Sequence, residues 1–261
     1  MFEQSPLPVL AESEGWIIVA KPPRLLVHRN VHHRSAQACL QWVRDQVGRR
    51  VYPIHRLDFQ ASGCLLFAKE RTLAGPLHET LREGQKTYIA FVRGHFSHEG
   101  EVRVDTAMKD DNGNLKDALS HVDCIGRSHE PRCSLLRVRP KTGRFHQVRR
   151  HVRDLYHPCI GDSEHGDTRV NRWWRENTKA NRLGLHCLHL RLDMPDGSEI
   201  NVSCPLFEDH HAVFSTMPWW DDACSAEPVL NTPPLSLPRL TPEPEEVEAP
   251  VEAPAVDSDA D

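Results

Sequence analysis

Two stretches of this chain carry residue types that could do chemistry together. The loop His55-Arg56-Leu57-Asp58 sets one carboxylate among bases. An ionised Asp can act as nucleophile or base, and a neighbouring guanidinium favours the ionised form. Asp also turns and caps chains, so the loop alone leaves both uses open. The second stretch runs from Pro131 to Arg153, with eight bases (Arg132, Arg137, Arg139, Lys141, Arg144, Arg149, Arg150, Arg153) and no acid. On a helix there, His146, Arg150 and Arg153 fall at i, i+4 and i+7, a polar stripe suited to phosphates. Arg149 sits one step round from Val148, at the margin of the buried face, and could reach inward.

Other candidates are weaker. Gly161 to Gly166 has the GxxxxG spacing of a phosphate loop, but Asp167 stands where a Lys is required. His186, Cys187 and His189 are the closest metal-type cluster, yet on a strand a separation of three puts the histidines on opposite faces. The HxE and PCxxC pattern of zinc deaminases is absent. No metal and no cofactor is expected.

The elements that must position these residues follow from periodicity. Trp16–Ala20 reads as a buried strand stopped by Lys21-Pro22-Pro23. Ser35 can cap a helix with Ala36, Leu40, Val43 and Val47 inward and Gly48 past its end. Cys64–Ala68 is a strand, and a helix through Leu73, Leu77 and Leu81 closes at Gly84. Lys86–Arg93 alternates, with Tyr88, Ala90 and Val92 on one face and Thr87, Ile89 and Phe91 on the other. Residues 94–130 read as polar and irregular. Arg132–Arg139 is a strand. Beyond it Thr142 caps a helix with Phe145, Val148, Val152 and Leu155 inward. Leu185–Leu192 and Ser198–Cys204 pair across a Pro195-Asp196-Gly197 turn. The mixture lacks strict βαβ alternation, which predicts an α+β fold.

Composition bounds the class. The 261 residues are 39% apolar and 26% charged, enough for a folded core. No apolar run approaches the about 18 residues of a membrane helix, and MFEQSPLPVL lacks the basic and apolar regions of a signal peptide. A cytoplasmic protein that does not engage membranes is expected, its eight cysteines free thiols. The net charge of −5 hides an asymmetry: residues 225–261 carry nine acids, one base and eight prolines, leaving residues 1–224 mildly basic. Composition predicts one folded domain over 1–224 and a disordered acidic, Pro-rich tail over 225–261.

Several segments, in order, resemble the motifs of RluA-type pseudouridine synthases. They are VAKPPRLLVH (19–28), HRLDFQASGCLLFAK (55–69), KTYIAFVRG (86–94), KTGRFHQVRRH (141–151) with HPCIGD (157–162), and LHCLHLRL (185–192). The resemblance covers about residues 7 to 208. It implies the pseudouridine synthase fold, a mixed, mainly antiparallel sheet with a central RNA-binding cleft, and cofactor-free isomerisation of uridine. It further implies that Asp58 is the essential carboxylate, that Tyr88 packs on the target base, and that Arg149 pairs with Asp58. Arg56 would fill the gap left in the RNA stack, and Lys141, Arg144, His146, Arg150 and Arg153 would bind RNA. The sequence departs from the family at Ala61, where Thr is common, and at Phe59-Gln60. The segments VRDQVGRRVYPIHRLD and GDSEHGDTRVNR look most like the TruC-type subgroup, which acts on uridine 65 of tRNA. Ribosomal RNA, alone or together with tRNA, is the alternative substrate, and a non-catalytic RNA-binding protein the alternative class. A monomer needing no protein partner is expected.

Overall fold

A computed structural model describes residues 6–29, 36–110, 112–194 and 197–238. Twelve strands lie in chain order as β1 (Val9–Glu12), β2 (Trp16–Lys21), β3 (Tyr52–Pro53), β4 (Ser62–Ala68), β5 (Gln85–Arg93), β6 (Val102–Val104), β7 (Met108–Lys109), β8 (Leu115–Lys116), β9 (Ser120–His129), β10 (Arg132–Pro140), β11 (Leu185–Asp193) and β12 (Glu199–Ser203). The helices are α1 (Cys39–Val47), α2 (Arg71–Glu83), α3 (Gln147–Asp154), α4 (Thr168–Asn177), α5 (Glu208–Phe214) and α6 (Trp220–Ala226), followed by a 3-10 turn at Pro228–Asn231.

Ten strands form one sheet with the path β1-β2-β4-β11-β5-β10-β9-β6, β12 beside β11 and β3 beside β4; β7 and β8 form a separate pair. Every pairing in the large sheet is antiparallel except β4 with β11. The architecture is the expected α+β. Both faces of the central strands are covered, so their alternation separates two cores rather than core from solvent. Tyr88, Ala90 and Val92 of β5 join one core, while Ile89 and Phe91 join another containing Trp174, Phe214 and Trp219. The Phe91 ring meets Trp174 edge-on at 5.0 Å, a favoured aromatic geometry.

Local rules explain some helix ends. Gly48 adopts the left-handed conformation (φ 75°) and returns its N–H to the Arg44 carbonyl, ending α1. Its start is Ala38, with no side-chain cap; the expected cap, Ser35, lies outside the described residues, as do Pro195 and Asp196 of the expected turn.

Four expectations need correction. First, residues 94–130 contain the long strand β9, paired along β10. Opposite Leu135 and Leu136, Ile125 of β9 is an extra, unpaired residue, and this bulge shifts the register and breaks the period-2 pattern that would reveal a strand. Second, α3 starts at Gln147, because His146 has φ 52° and cannot continue a right-handed helix. Thr142 does not cap it; its Oγ1 donates to Gln147 Oε1 and accepts from the Leu119 N–H. Phe145 is therefore off the helix and half exposed, whereas Val148 and Val152 are buried as expected. Third, the eight bases do not form one patch, since Arg137 pairs with Asp123 and Glu227, and Arg139 with Glu101 and Asp123.

Fourth, the folded chain does not stop at 224. Residues 225–238 finish α6, form the 3-10 turn and bury Leu230. The Leu235 carbonyl then accepts from Glu208 N, and its N–H donates to Leu206 O. Averaging over the whole acidic segment hid the apolar residues Val229, Leu230, Leu235 and Leu237 at its start. The remainder of the expected tail, 239–261, lies outside the described residues.

Candidate active site

Asp58 sits in the loop between β3 and β4, which is fastened from below. The Lys21 side chain is fully buried and its Nζ donates to the carbonyls of Pro22 (2.9 Å), Phe59 (3.2 Å) and Ala61 (2.7 Å). Burial pulls its pKa down to about 8, so the ammonium persists at neutral pH. The Asp58 carbonyl accepts from Ala61 N, and the Phe59 carbonyl from Arg24 N. The chain then enters β4 through Gly63, at φ 117°. A Cβ here would lie 2.2 Å from the Cys187 carbonyl oxygen on β11, so only glycine fits this close approach.

Arg149 reaches inward from α3, as its position on the helix allowed. It is 5% exposed, and its Nη1 donates to Asp58 Oδ2 at 3.2 Å. The other edge of the guanidinium grips Asp162, Nε to Oδ2 at 2.7 Å and Nη2 to Oδ1 at 2.6 Å. Burial opposes the Arg149 charge, but hydrogen bonds and the charge of Asp162, then of Asp58, raise its pKa above the ordinary value. Burial likewise pushes the Asp162 carboxyl up, and Arg149 with the N–H groups of His165 and Glu164 brings it below the usual range. The result is a chain of fixed charges: Asp162 holds Arg149, and Arg149 holds Asp58.

Tyr88 on β5 faces the same space. It is 9% exposed, and burial, with the neighbouring Cys187 thiol, raises its phenol well above its ordinary pKa. It lines a cavity of about 890 Å³ with Asp58, Arg149, Val148, Leu185 and Lys86. A second lobe of about 460 Å³ adjoins it at Asp58 and extends past Phe59, Phe145 and Glu164.

The RNA candidates separate into two groups. Arg56, Lys141 and Arg144 are exposed at the mouth of the larger lobe; Arg56 lies 5.7 Å above the Phe145 ring. Arg150 and Arg153 line neither lobe, and Arg153 pairs with Asp154. His146 does not share their stripe. Its left-handed backbone turns the ring inward, so the side chain is 7% exposed and Nε2 stands 3.8 Å from Asp58 Oδ1. Burial holds its pKa below the ordinary histidine value. His186 and His189 have separate partners, His186 with Ser62 and the Cys204 carbonyl, His189 with Ser203 and Glu227.

Residue-type patterns missed three supports of this site: Lys21, Asp162 and Phe145. Asp162 lay in plain view beside Gly161, but the glycine spacing directed attention to phosphate binding. Its true signal is conformational. Gly161 has φ 78°, and a Cβ there would meet the Arg182 carbonyl oxygen at 2.0 Å, so the turn that buries Asp162 requires this glycine.

Comparison with known proteins gives the family. Residues 15–154 match the family model described as RNA pseudouridylate synthase. The chain is 35% identical over 237 residues to tRNA pseudouridine synthase C of Yersinia pestis, covering 82% of this chain and 91% of that protein. It is 36% identical over 212 residues to the protein of the same name in Pasteurella multocida (72% and 86% covered). Among solved structures, human RNA pseudouridylate synthase domain containing 1 matches the fold with a TM-score of 0.64 at 23% identity, covering 90% of this chain and all of that one. From the family match over more than half its length and these relatives, the chain belongs to the RNA pseudouridylate synthases.

Proposed function

We propose that the protein isomerises a uridine of tRNA to pseudouridine, with position 65 as the target, and that Asp58 performs the covalent work. The observation that carries this reading is one carboxylate, partly open to a two-lobed cavity, ion-paired to a buried arginine and faced by a buried tyrosine. The likeness to proteins named tRNA pseudouridine synthase C supports the choice of tRNA.

The reaction is an isomerisation, so atoms balance without a cofactor. The C1′–N1 bond breaks, the uracil turns, C1′ bonds to C5, and the C5 proton is lost while N1 regains one. Asp58 serves either as the nucleophile at C1′ or as the base in a route through a glycal. The uracil must leave its helix first. Tyr88 offers the aromatic face for the extruded base, and Arg149 holds the carboxylate in line. Arg56, Lys141 and Arg144 supply cations for phosphates at the cavity mouth, with Arg56 entering the space the base vacates. In this reading the protein acts as a cytoplasmic monomer.

Tritium release from tRNA carrying 5-tritiated uridine tests the chemistry on the full chain without added metal. Wild-type protein releases tritium, and Asp58→Asn does not while still binding the RNA. Substantial release by Asp58→Asn would remove Asp58 from the chemistry. Carbodiimide mapping of pseudouridine in a deletion strain identifies the site. Loss of a ribosomal modification alone would replace tRNA by rRNA, and no release by wild type on any RNA would leave a binding protein.

A further inference from the structure

Beside the smaller lobe of the Asp58 cavity, the turn Asp162–Gly166 closes on the start of α3. Asp162 Oδ1 accepts the N–H groups of Glu164 and His165 at 3.0 Å each, which sets the turn. His146 Nδ1 lies 3.1 Å from His165 Nε2 and 3.5 Å from Glu164 Oε2. One donor atom from each residue falls within 4.8 Å of the others, the only such cluster of three or more found among the described residues. Around a tetrahedral ion held at about 2.0–2.2 Å by His and carboxylate ligands, neighbouring donors stand about 3.3–3.6 Å apart. The His146–Glu164 separation of 3.5 Å falls in that range, and the two rings, at 3.1 Å, need to part by only a few tenths of an ångström.

The surroundings favour a dication. One guanidinium, Arg149, is shared by three carboxylates, Asp58, Asp162 and Glu164, so negative charge is in excess. Without an ion, the 3.1 Å contact is an ordinary hydrogen bond between one ring N–H and the other ring's lone pair. A metal needs both lone pairs, so the donating ring takes its other tautomer, its proton moving to the nitrogen turned away from the ion. The Phe145 ring stacks on His146 at 3.6 Å and fixes its plane. Glu164 is more than half exposed, which gives an ion an entry path.

We propose that His146, Glu164 and His165 form a site for a divalent cation of the zinc class, and that filling it closes the Asp58 cavity to RNA. His146 and Glu164 both line the smaller lobe, and the opposite nitrogen of His146 faces Asp58. An ion held at Nδ1 fixes the ring whose other nitrogen faces Asp58, in the wall shared by both lobes. Metal binding stands apart from the RNA reading; closure rests on it.

Cobalt(II) titration of the full, reduced, metal-stripped chain tests binding by visible absorption. One equivalent gives a saturable tetrahedral spectrum, displaced by zinc, without the near-ultraviolet band of sulfur ligation. Glu164→Gln and His165→Ala each weaken binding about tenfold or more. Glu164→Gln is exposed and isosteric, so it reports even where His165→Ala fails to fold. No saturable spectrum, a sulfur band, or wild-type affinity in Glu164→Gln overturns the site. Fluorescence anisotropy with labelled tRNA then tests closure: zinc weakens RNA binding to wild type about tenfold and to Glu164→Gln less than about twofold. Unchanged RNA affinity in zinc-loaded protein overturns closure. RNA binding absent even in metal-free protein overturns the RNA reading and closure together, with the cobalt result unaffected.

Discussion

Substituting Asp162 by Asn isolates the residue on which Arg149 depends. Four N–H donors converge on its two carboxylate oxygens: Arg149 Nε on Oδ2, and Arg149 Nη2, Glu164 N and His165 N on Oδ1. Asn supplies one oxygen. With that oxygen at the Oδ1 position, the new NH₂ points at Arg149 Nε, donor against donor; the flipped amide strands three donors. The side chain is fully buried, so water does not compensate. Breaking a buried, hydrogen-bonded charge pair costs about 3–5 kcal/mol, a large share of the roughly 5–15 kcal/mol that holds a domain together. With a urea slope of about 2–3 kcal/mol/M, the midpoint falls by about 1–2.5 M. A guanidinium no longer anchored loses its line on Asp58, and single-turnover tritium release falls by about 10- to 100-fold at saturating RNA. Tryptophan fluorescence in urea and the tritium assay read the two effects. A midpoint within about 0.3 M of wild type, with an unchanged rate, would refute the anchoring role.

Further outcomes follow from other contacts. Lys21→Met leaves three carbonyl oxygens without their shared donor in a dry site; unfolding measurements should show a loss of about 3 kcal/mol, and the single-turnover rate should fall with it. His186 is fully buried and stays neutral down to about 4, against 6.5 for an ordinary histidine. The unfolded chain therefore takes up the proton first, and stability is lost as pH falls from 6.5 toward 4, by about 3 kcal/mol from this residue; His186→Gln should flatten that part of the urea-midpoint profile. Lys141→Ala and Arg144→Ala should lower tRNA affinity and flatten its dependence on salt. Arg150→Ala and Arg153→Ala should have smaller effects, and equal losses in an anisotropy series would move the RNA path onto α3. Ending the chain at 224 should destabilise it by several kcal/mol relative to ending at 238, because Leu230 and the Arg137–Glu227 pair go.

What the residues determined alone was local. Alternation at 86–93 placed Tyr88 on one face of a strand, Gly48 ended its helix, and the position of Arg149 beside Val148 allowed it to turn inward. Each of these depends on near neighbours in the chain, so pattern suffices. The ordered motifs around Asp58, Tyr88 and Arg149 also marked the family before any coordinates. Composition misjudged 225–238, because an average over an acidic segment cannot register a few apolar residues with a waiting surface. The left-handed backbone at His146 reversed the direction of one candidate side chain. Above all, Asp162 became the partner of Arg149, and Lys21 the fastening of the Asp58 loop, only when distant segments met. A charge's role depends on which opposite charge is close and whether water is excluded, and both are properties of the folded chain.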